Sequence, residues 1–251
     1  MKLIVDGQLV EYKDTGEGKV LLLLHGWGAS LGTYDELATI LEKRFRVIRF
    51  DFPGFGSSPK PEDSWGVSEY ARLTASLLQK LKIDQVYAII GHSFGGRVII
   101  KGTSLGMLKS DKVVLISAAG IKPAKSVKKQ ALKAVAKTGK VVASLPGIKR
   151  FRSSLRGKLY AAAGSSDYLE AESMQRIFLN TINEDLLPEV AAAKQPTLLI
   201  WGEDDRDTPL GDAYKMKDKL EKAELHVIPN SGHFVYLDAP AAVITELEKF
   251  L

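Results

Sequence analysis

The fold is decided by the stretch AIIGHSFGGR at residues 88–97, where an apolar segment ends at a serine with a glycine two positions away on either side. Residues 86–90 have the β-branched, apolar composition of a buried strand, and an apolar helical pattern follows the serine. Gly91 and Gly95 allow the backbone to pass closely through a sharp strand-to-helix turn. The Gly-x-Ser-x-Gly pattern therefore predicts that Ser93 lies on this turn with its hydroxyl group clear of the sheet.

A serine hydroxyl is a poor nucleophile unless a base removes its proton and an acid orients that base. Two later predicted strands are each followed by a loop that carries such a group. The loop after the second of these strands contains His233. The loop after the first contains three aspartates: Asp204, Asp205 and Asp207. The chain order of Ser, Asp and His differs from that of trypsin-like and subtilisin-like enzymes and is typical of another architecture of serine hydrolase.

His233 is the preferred base among the four histidines of the chain. Its place on a loop just past a strand end lets an imidazole swing onto the Ser93 hydroxyl. The other three are interpreted as structural, because His226 alternates within a strand, His92 belongs to the turn, and His25 belongs to an early glycine-rich loop.

Further motifs recur just after predicted strands: HGWG at 25–28, DFPGFGSS at 51–58, Gly-x-x-Asp at 202–205 and Gly-His at 232–233. On these motifs and the turn at Ser93, the chain resembles the α/β-hydrolase superfamily over nearly its whole length. The resemblance implies an α/β fold, with a mostly parallel eight-stranded sheet flanked by helices and an inserted helical cap.

The same resemblance implies roles for individual residues. It assigns the acid to Asp205, the fourth residue of Gly-x-x-Asp, and leaves Asp204 and Asp207 as solvated loop charges. It implies an oxyanion hole formed by the backbone N–H groups of Phe94 and Trp27, the first of them at the positive end of a helix dipole. Four flanking residues are the candidate substrate contacts: Gly26, His92, Arg97 and Phe234.

Strand patterns alternate with helical patterns along the chain, which predicts a parallel sheet with crossover helices. An opening hairpin at 3–6 and 9–14 is followed by strands at 20–24, 46–51, 86–90, 112–117, 197–201 and 224–228. Helices are predicted at 33–43, 68–82, 94–105, 210–221 and 239–250. Residues 121–190 have helical patterning without a convincing strand and are too long for a simple crossover. We therefore predict a core domain of residues 1–120 and 191–251, with a helical cap inserted at 121–190.

Composition agrees with one such domain. The chain has 251 residues, of which 45% are hydrophobic, and this is enough to bury a large core. It has no run of eighteen apolar residues and no recognisable signal peptide, so we expect no membrane span. It also lacks cysteine, which is consistent with a cytoplasmic location. The sequence shows no metal-binding cluster of closely spaced histidines and carboxylates, and we expect neither a metal nor another cofactor.

Charge is concentrated in the predicted cap. Residues 121–160 contain twelve Lys and Arg and no Asp or Glu, whereas the whole chain has a net charge of +5. Lysines recur there at helical spacing opposite apolar residues, as in an amphipathic cationic helix. We favour a solvated lysine face; attraction of anionic substrates and contact with an anionic membrane surface remain as alternatives. Nucleic-acid binding is disfavoured, because few aromatic residues interleave with these charges.

These features together predict a serine esterase or lactonase that acts on a small acyl substrate and water. One alternative is cleavage of carbon–carbon bonds, or lyase chemistry, in an acidic substrate, with Arg97 as a weak indication. Another is a receptor-like binding protein with little turnover. The sequence does not indicate an oligomeric state.

Overall fold

The computed structural model describes residues 1–62, 64–122 and 174–251, which include a single eight-stranded sheet. The strands are β1 (Lys2–Val5), β2 (Gln8–Thr15), β3 (Val20–Leu24), β4 (Arg46–Phe50), β5 (Val86–His92), β6 (Ser110–Ile116), β7 (Thr197–Gly202) and β8 (Ala223–Ile228). Their order is β1-β2-β4-β3-β5-β6-β7-β8. The first two strands run antiparallel to their neighbours and all other pairs are parallel. The predicted mostly parallel eight-stranded sheet is confirmed.

Helices cover both faces of this sheet. Those of the described residues are α1 (Asp35–Leu41), α2 (Val67–Lys80), α3 (Phe94–Ser104), α4 (Gln175–Asn183), α5 (Leu187–Val190), α6 (Leu210–Lys219), α7 (Val235–Asp238) and α8 (Pro240–Phe250). Successive residues of β3 alternate between the two cores, because side chains of a strand point to opposite faces. Leu22 and Leu24 pack with α2 and α3, whereas Leu21 and Leu23 pack with α1 and α8.

Element ends differ from the predicted ones for local reasons. The helix predicted from residue 33 begins as a 3₁₀ turn at Leu31, where the Ser30 side chain accepts the N–H of Gly32, and becomes α-helical at Asp35. The helix predicted to end at residue 82 ends at 80, because Lys82 has a positive φ of 59°. The short helix α7 was missed, since four residues are too few to show a helical period.

Part of the predicted cap at residues 121–190 can be described. Helices α4 and α5 lie in this range, as its helical patterning predicted. Residues 123–173, which carry nearly all of the clustered Lys and Arg, lie outside the described residues. The domain boundaries at 121 and 190 stay predictions.

The helices at the end of this range are anchored to α3. Arg97 Nη1 donates hydrogen bonds to the carbonyl oxygens of Thr181 (3.0 Å) and Glu184 (2.9 Å). Two turns past the Ser93 turn, Lys101 forms ion pairs with Glu184 and Glu189. The segment that leads back into β7 is therefore held by the helix that follows Ser93.

None of the helices in the described part of the chain has both the length and the apolar character needed to cross a membrane.

Candidate active site

Ser93 lies on a strained turn between β5 and α3. Its φ of 49° and ψ of −108° are unfavourable for a residue with a side chain. A Cβ atom on Gly91 would lie 2.7 Å from the carbonyl carbon of Gly95, and one on Gly95 would lie 2.1 Å from the carbonyl oxygen of Leu24. Both flanking positions therefore require glycine, because no other residue leaves the backbone this close.

Backbone hydrogen bonds fix this turn against the end of β6. The N–H of Ser93 donates to the Ile116 carbonyl at 3.1 Å, and the Ser93 carbonyl accepts from the N–H of Ala119 at 3.0 Å. These bonds offset part of the cost of the unfavourable φ, so that Ser93 is held at the carboxyl edge of the sheet. Open α/β sheets bind ligands at this edge.

His233 and Asp205 form a hydrogen-bonded pair at the same edge. The Nδ1 atom of His233 lies 3.0 Å from Oδ2 and 3.2 Å from Oδ1 of Asp205. The Asp205 side chain is fully buried, whereas 12% of the His233 side chain is exposed. The exposed loop residues Asp204 and Asp207 make no hydrogen bond to His233 within the described ranges, so Asp205 is the one of the three aspartates that is bonded to the imidazole.

The Asp205 carboxylate is stabilised in its charged form. Burial by itself would raise the pKa of Asp205, but the hydrogen bond and charge of His233 and the N–H of Thr208 outweigh burial and lower that pKa below its usual value. Asp205 Oδ1 also accepts the N–H groups of Asp207 and Thr208, each at 2.9 Å. At neutral pH the carboxylate is therefore ionised, and both of its oxygen atoms can only accept hydrogen bonds.

Thr208 is part of this arrangement and was missed in the sequence. Its hydroxyl lies 2.7 Å from Asp205 Oδ2, 3.1 Å from the Ser117 carbonyl and 3.3 Å from His233 Nδ1. A hydroxyl has one proton, so it donates to one of these groups at a time. The available signal was the spacing Asp-x-x-Thr, because an aspartate commonly accepts backbone N–H groups two and three residues further on.

A neighbour of Ser93 in the sequence contacts His233. His92, the residue before Ser93, has its Nε2 atom 2.9 Å from the His233 carbonyl oxygen. Among the residues that the structure describes, no hydrogen bond joins the Ser93 hydroxyl to the His233 imidazole. Catalytic hydrogen bonds of this kind often tighten only when substrate is bound.

The loop after β3 approaches the same turn. A Cβ atom on Gly26 would lie 3.4 Å from Ser93 Cβ and 2.7 Å from His92 Nδ1, so only glycine fits there. His25 fixes the loop, because its Nδ1 donates to the Gly26 carbonyl at 2.8 Å and its Nε2 accepts the N–H of Phe52 at 3.0 Å. Burial lowers the pKa of His25 to about 4, against the opposing effects of the Gly26 hydrogen bond and the Asp51 charge. His25 is thus a neutral, structural residue.

Comparison with known proteins decides the family. Residues 21–246 match the family model of the alpha/beta hydrolase family. The chain belongs to the alpha/beta hydrolase family.

Similar proteins catalyse more than one reaction. The 2-hydroxy-6-oxo-6-(2'-aminophenyl)hexa-2,4-dienoic acid hydrolase of Metapseudomonas resinovorans is 26% identical, over 98% of this chain and 88% of that protein. The meta-cleavage product hydrolase of Pseudomonas fluorescens has a TM-score of 0.74 at 22% identity, covering 100% of this chain and 96% of that one. Est816, described as an N-acyl homoserine lactone degrading enzyme, has a TM-score of 0.76 at 21% identity and full coverage of both chains. The two structural matches show a common fold.

In this alpha/beta hydrolase, aromatic residues surround the predicted oxyanion loop. The half-buried Trp27 ring contacts the rings of Phe55 at 4.8 Å, Phe94 at 5.3 Å and Phe178 at 5.1 Å between centroids. Phe55 and Phe178 come from distant parts of the chain, and no sequence pattern linked them to this loop. The ring contacts pack the half-buried Trp27 against the buried rings of Phe55, Phe94 and Phe178.

Asp51 holds the neighbouring loop of the hydrolase. Its Oδ1 accepts the N–H of Leu31 and its Oδ2 accepts the N–H of Ser57, both at 2.7 Å. A Cβ atom on Gly56 would lie 2.0 Å from Asp51 Oδ2. The loop at residues 51–58 is therefore wrapped around a buried carboxylate.

The four candidate substrate contacts, Gly26, His92, Arg97 and Phe234, differ from one another in burial and in the groups they contact. Gly26 lies against Ser93, and Phe234 is exposed beside the His233 ring, with 5.5 Å between centroids. His92 is fully buried and Arg97 is 3% exposed. Both have side-chain groups bonded to backbone carbonyls, and their role as substrate contacts stays a prediction.

Proposed function

We propose that this alpha/beta hydrolase is a serine hydrolase that cleaves a carboxylic ester or lactone through an acyl-enzyme. The hydrogen bond between His233 and the buried Asp205, on loops beside the Ser93 turn, carries this proposal. It supports a base with a fixed tautomer, because Nδ1–H donates to the carboxylate and leaves Nε2 free to take a proton.

The reaction then proceeds in two halves. As Ser93 Oγ attacks the carbonyl carbon, His233 Nε2 takes its proton, and the negative carbonyl oxygen binds the N–H groups of Phe94 and Trp27. The bond to the leaving alcohol breaks while His233 returns the proton to that alcohol. Water then attacks the acyl-enzyme with His233 as base, which releases the acid and restores the Ser93 hydroxyl. No cofactor is required.

The test is hydrolysis of short p-nitrophenyl esters and of lactones by the wild type and by Ser93→Ala, together with labelling by a fluorophosphonate probe. We expect wild-type turnover and labelling, and a loss of at least about 10³-fold in kcat for the variant. Wild-type hydrolysis rates in Ser93→Ala would end the proposal. A wild type without turnover or labelling would instead support the receptor-like alternative.

A second candidate is hydrolysis of a carbon–carbon bond in a dienoate, which the similarity to the Metapseudomonas resinovorans hydrolase favours. Arg97 was the residue considered for an acidic substrate, but its Nη1 atom is bonded to the carbonyls of Thr181 and Glu184. This candidate predicts that a 2-hydroxy-6-oxo-dienoate outcompetes simple esters for the wild type. A kcat/KM for esters that exceeds the value for the dienoate would favour the ester hydrolase.

A further inference from the structure

His92 connects the nucleophile candidate to the base candidate. It is the last residue of β5, directly before Ser93, and its imidazole is fully buried. Its Nε2 atom lies 2.9 Å from the backbone carbonyl oxygen of His233, 141 residues further along the chain. A carbonyl oxygen can only accept a hydrogen bond, so Nε2 carries a proton and donates it.

The other ring nitrogen carries no proton. Burial, assisted by the charge of His233, lowers the pKa of His92 to about 3, so the ring is neutral at neutral pH and holds one N–H. Its Nδ1 atom is buried without a partner in the described part of the chain, facing the backbone of Gly26. A buried acceptor without a partner is tolerated better than a buried donor without one, which agrees with the proton on Nε2.

His92 also supports the loop at residues 233–236 by ring contacts. Its centroid lies 4.7 Å from the ring of His233, 5.0 Å from that of Phe234 and 5.1 Å from that of Tyr236. The side chain of His233 is held by Asp205 at one end only, through Nδ1. The bond from His92, the residue directly before Ser93, holds His233 by its backbone.

We propose that His92 is a positioning residue, whose Nε2–H group fixes the backbone of His233 so that its imidazole faces the Ser93 hydroxyl. The inference rests on the proposed function, in which His233 is the base. Because His92 and Ser93 are adjacent, the hydrogen bond ties the base directly to the residue next to the nucleophile.

The experiment compares His92→Gln, His92→Asn and His92→Leu. The Gln amide nitrogen reaches about as far as imidazole Nε2, whereas the Asn amide reaches only as far as Nδ1. We expect His92→Gln to keep kcat on p-nitrophenyl esters within about threefold of wild type, and the other two to lose about 10- to 100-fold with little change in KM. Labelling by the fluorophosphonate probe should slow in parallel, since it also needs an aligned base.

The outcomes distinguish a positioning role of His92 from a general loss of folding and from a failure of the proposed function. All three variants within twofold of wild type, or an equal loss in all three, would overturn the positioning role, because the donor position would then not matter. Thermal unfolding of each variant separates lost alignment from lost folding. An active wild type with an inactive Ser93→Ala would leave the proposed function intact in either case, whereas an inactive wild type would end both.

A measurement on the wild-type protein does not depend on the variants folding. Long-range ¹H–¹⁵N spectra of the imidazoles report which ring nitrogen carries the proton. We expect Nε2–H for His92, in contrast to the Nδ1–H of His25, which donates to the Gly26 carbonyl. A Nδ1–H tautomer at His92 would contradict the inference directly.

Discussion

Lowering the pH from 7 to 5 should destabilise this protein markedly, because two fully buried histidines are neutral in the folded state. Folding lowers the pKa of His25 from 6.5 to about 4 and that of His92 from 6.5 to about 3. Between these values and 6.5 the unfolded chain binds more protons than the folded one, so stability falls as the pH falls.

The magnitude follows from these pKa values. Each histidine should remove about 2 kcal/mol from the free energy of unfolding between pH 7 and pH 5, and the two together about 4 kcal/mol. The figure depends little on the exact folded pKa values, since both lie well below 5. The Asp205 carboxylate, whose pKa is lowered from 3.8, titrates below this interval.

Urea unfolding at pH 7, 6 and 5, followed by the fluorescence of the three tryptophans, measures this loss. His25→Asn keeps a donor at the position of Nδ1 but does not titrate, so its loss between pH 7 and pH 5 should be about 2 kcal/mol smaller than that of wild type. Val47→Ala, at a fully buried position in β4, is a destabilised control that should keep the wild-type dependence. A stability that does not change with pH, or an undiminished loss in His25→Asn, would refute the reasoning.

Three further predictions concern the turn, the acid and the anchored segment. Gly95→Ala should prevent stable folding or cost more than about 3 kcal/mol, because its Cβ would lie 2.1 Å from the Leu24 carbonyl oxygen. Gly211→Ala, in helix α6 with no atom within 4 Å of the added Cβ, should leave thermal stability unchanged or slightly higher. Asp205→Asn should lower kcat on esters by about 10³- to 10⁴-fold with the fold retained, whereas Asp204→Asn should leave kcat unchanged. Equal effects of the two substitutions on kcat would show that the wrong aspartate was chosen. Arg97→Met should lower the free energy of unfolding in urea by about 2–4 kcal/mol, because the carbonyls of Thr181 and Glu184 lose a buried charged donor. The KM for neutral esters should stay constant. A large rise in KM without loss of stability would instead indicate that Arg97 contacts the substrate.

Much of the fold could be predicted because its signals are local. The glycines around Ser93 and the apolar run before it lie within about ten residues, and they suffice to specify a strand, a turn and a helix. The helix predicted at 94–105 is observed as Phe94–Ser104 for this reason. Shorter elements such as α7 escape such reasoning, since four residues cannot establish a period.

Side-chain partners could not be predicted in the same way. Three aspartates lie within four residues of one another in the loop after β7, and their chemistry is identical in the sequence. The family resemblance favoured Asp205, but the hydrogen bond to His233 depends on how the two loops fold against each other. Thr208 and Asp51 belong to recognisable stretches of sequence, Asp-x-x-Thr and the motif at 51–58, but neither stretch shows which backbone groups surround these side chains.

The amino-acid order was enough to establish the α/β architecture, the turn at Ser93 and the family, since glycine placement and apolar periodicity act between near neighbours. The folded chain was needed to show that Arg97 binds carbonyls near the end of the predicted cap and that His92 donates to the backbone of His233. These contacts join residues that are 84 to 141 positions apart, and hydrogen-bond geometry between such residues is set by packing of the whole sheet and its loops. No local pattern encodes it.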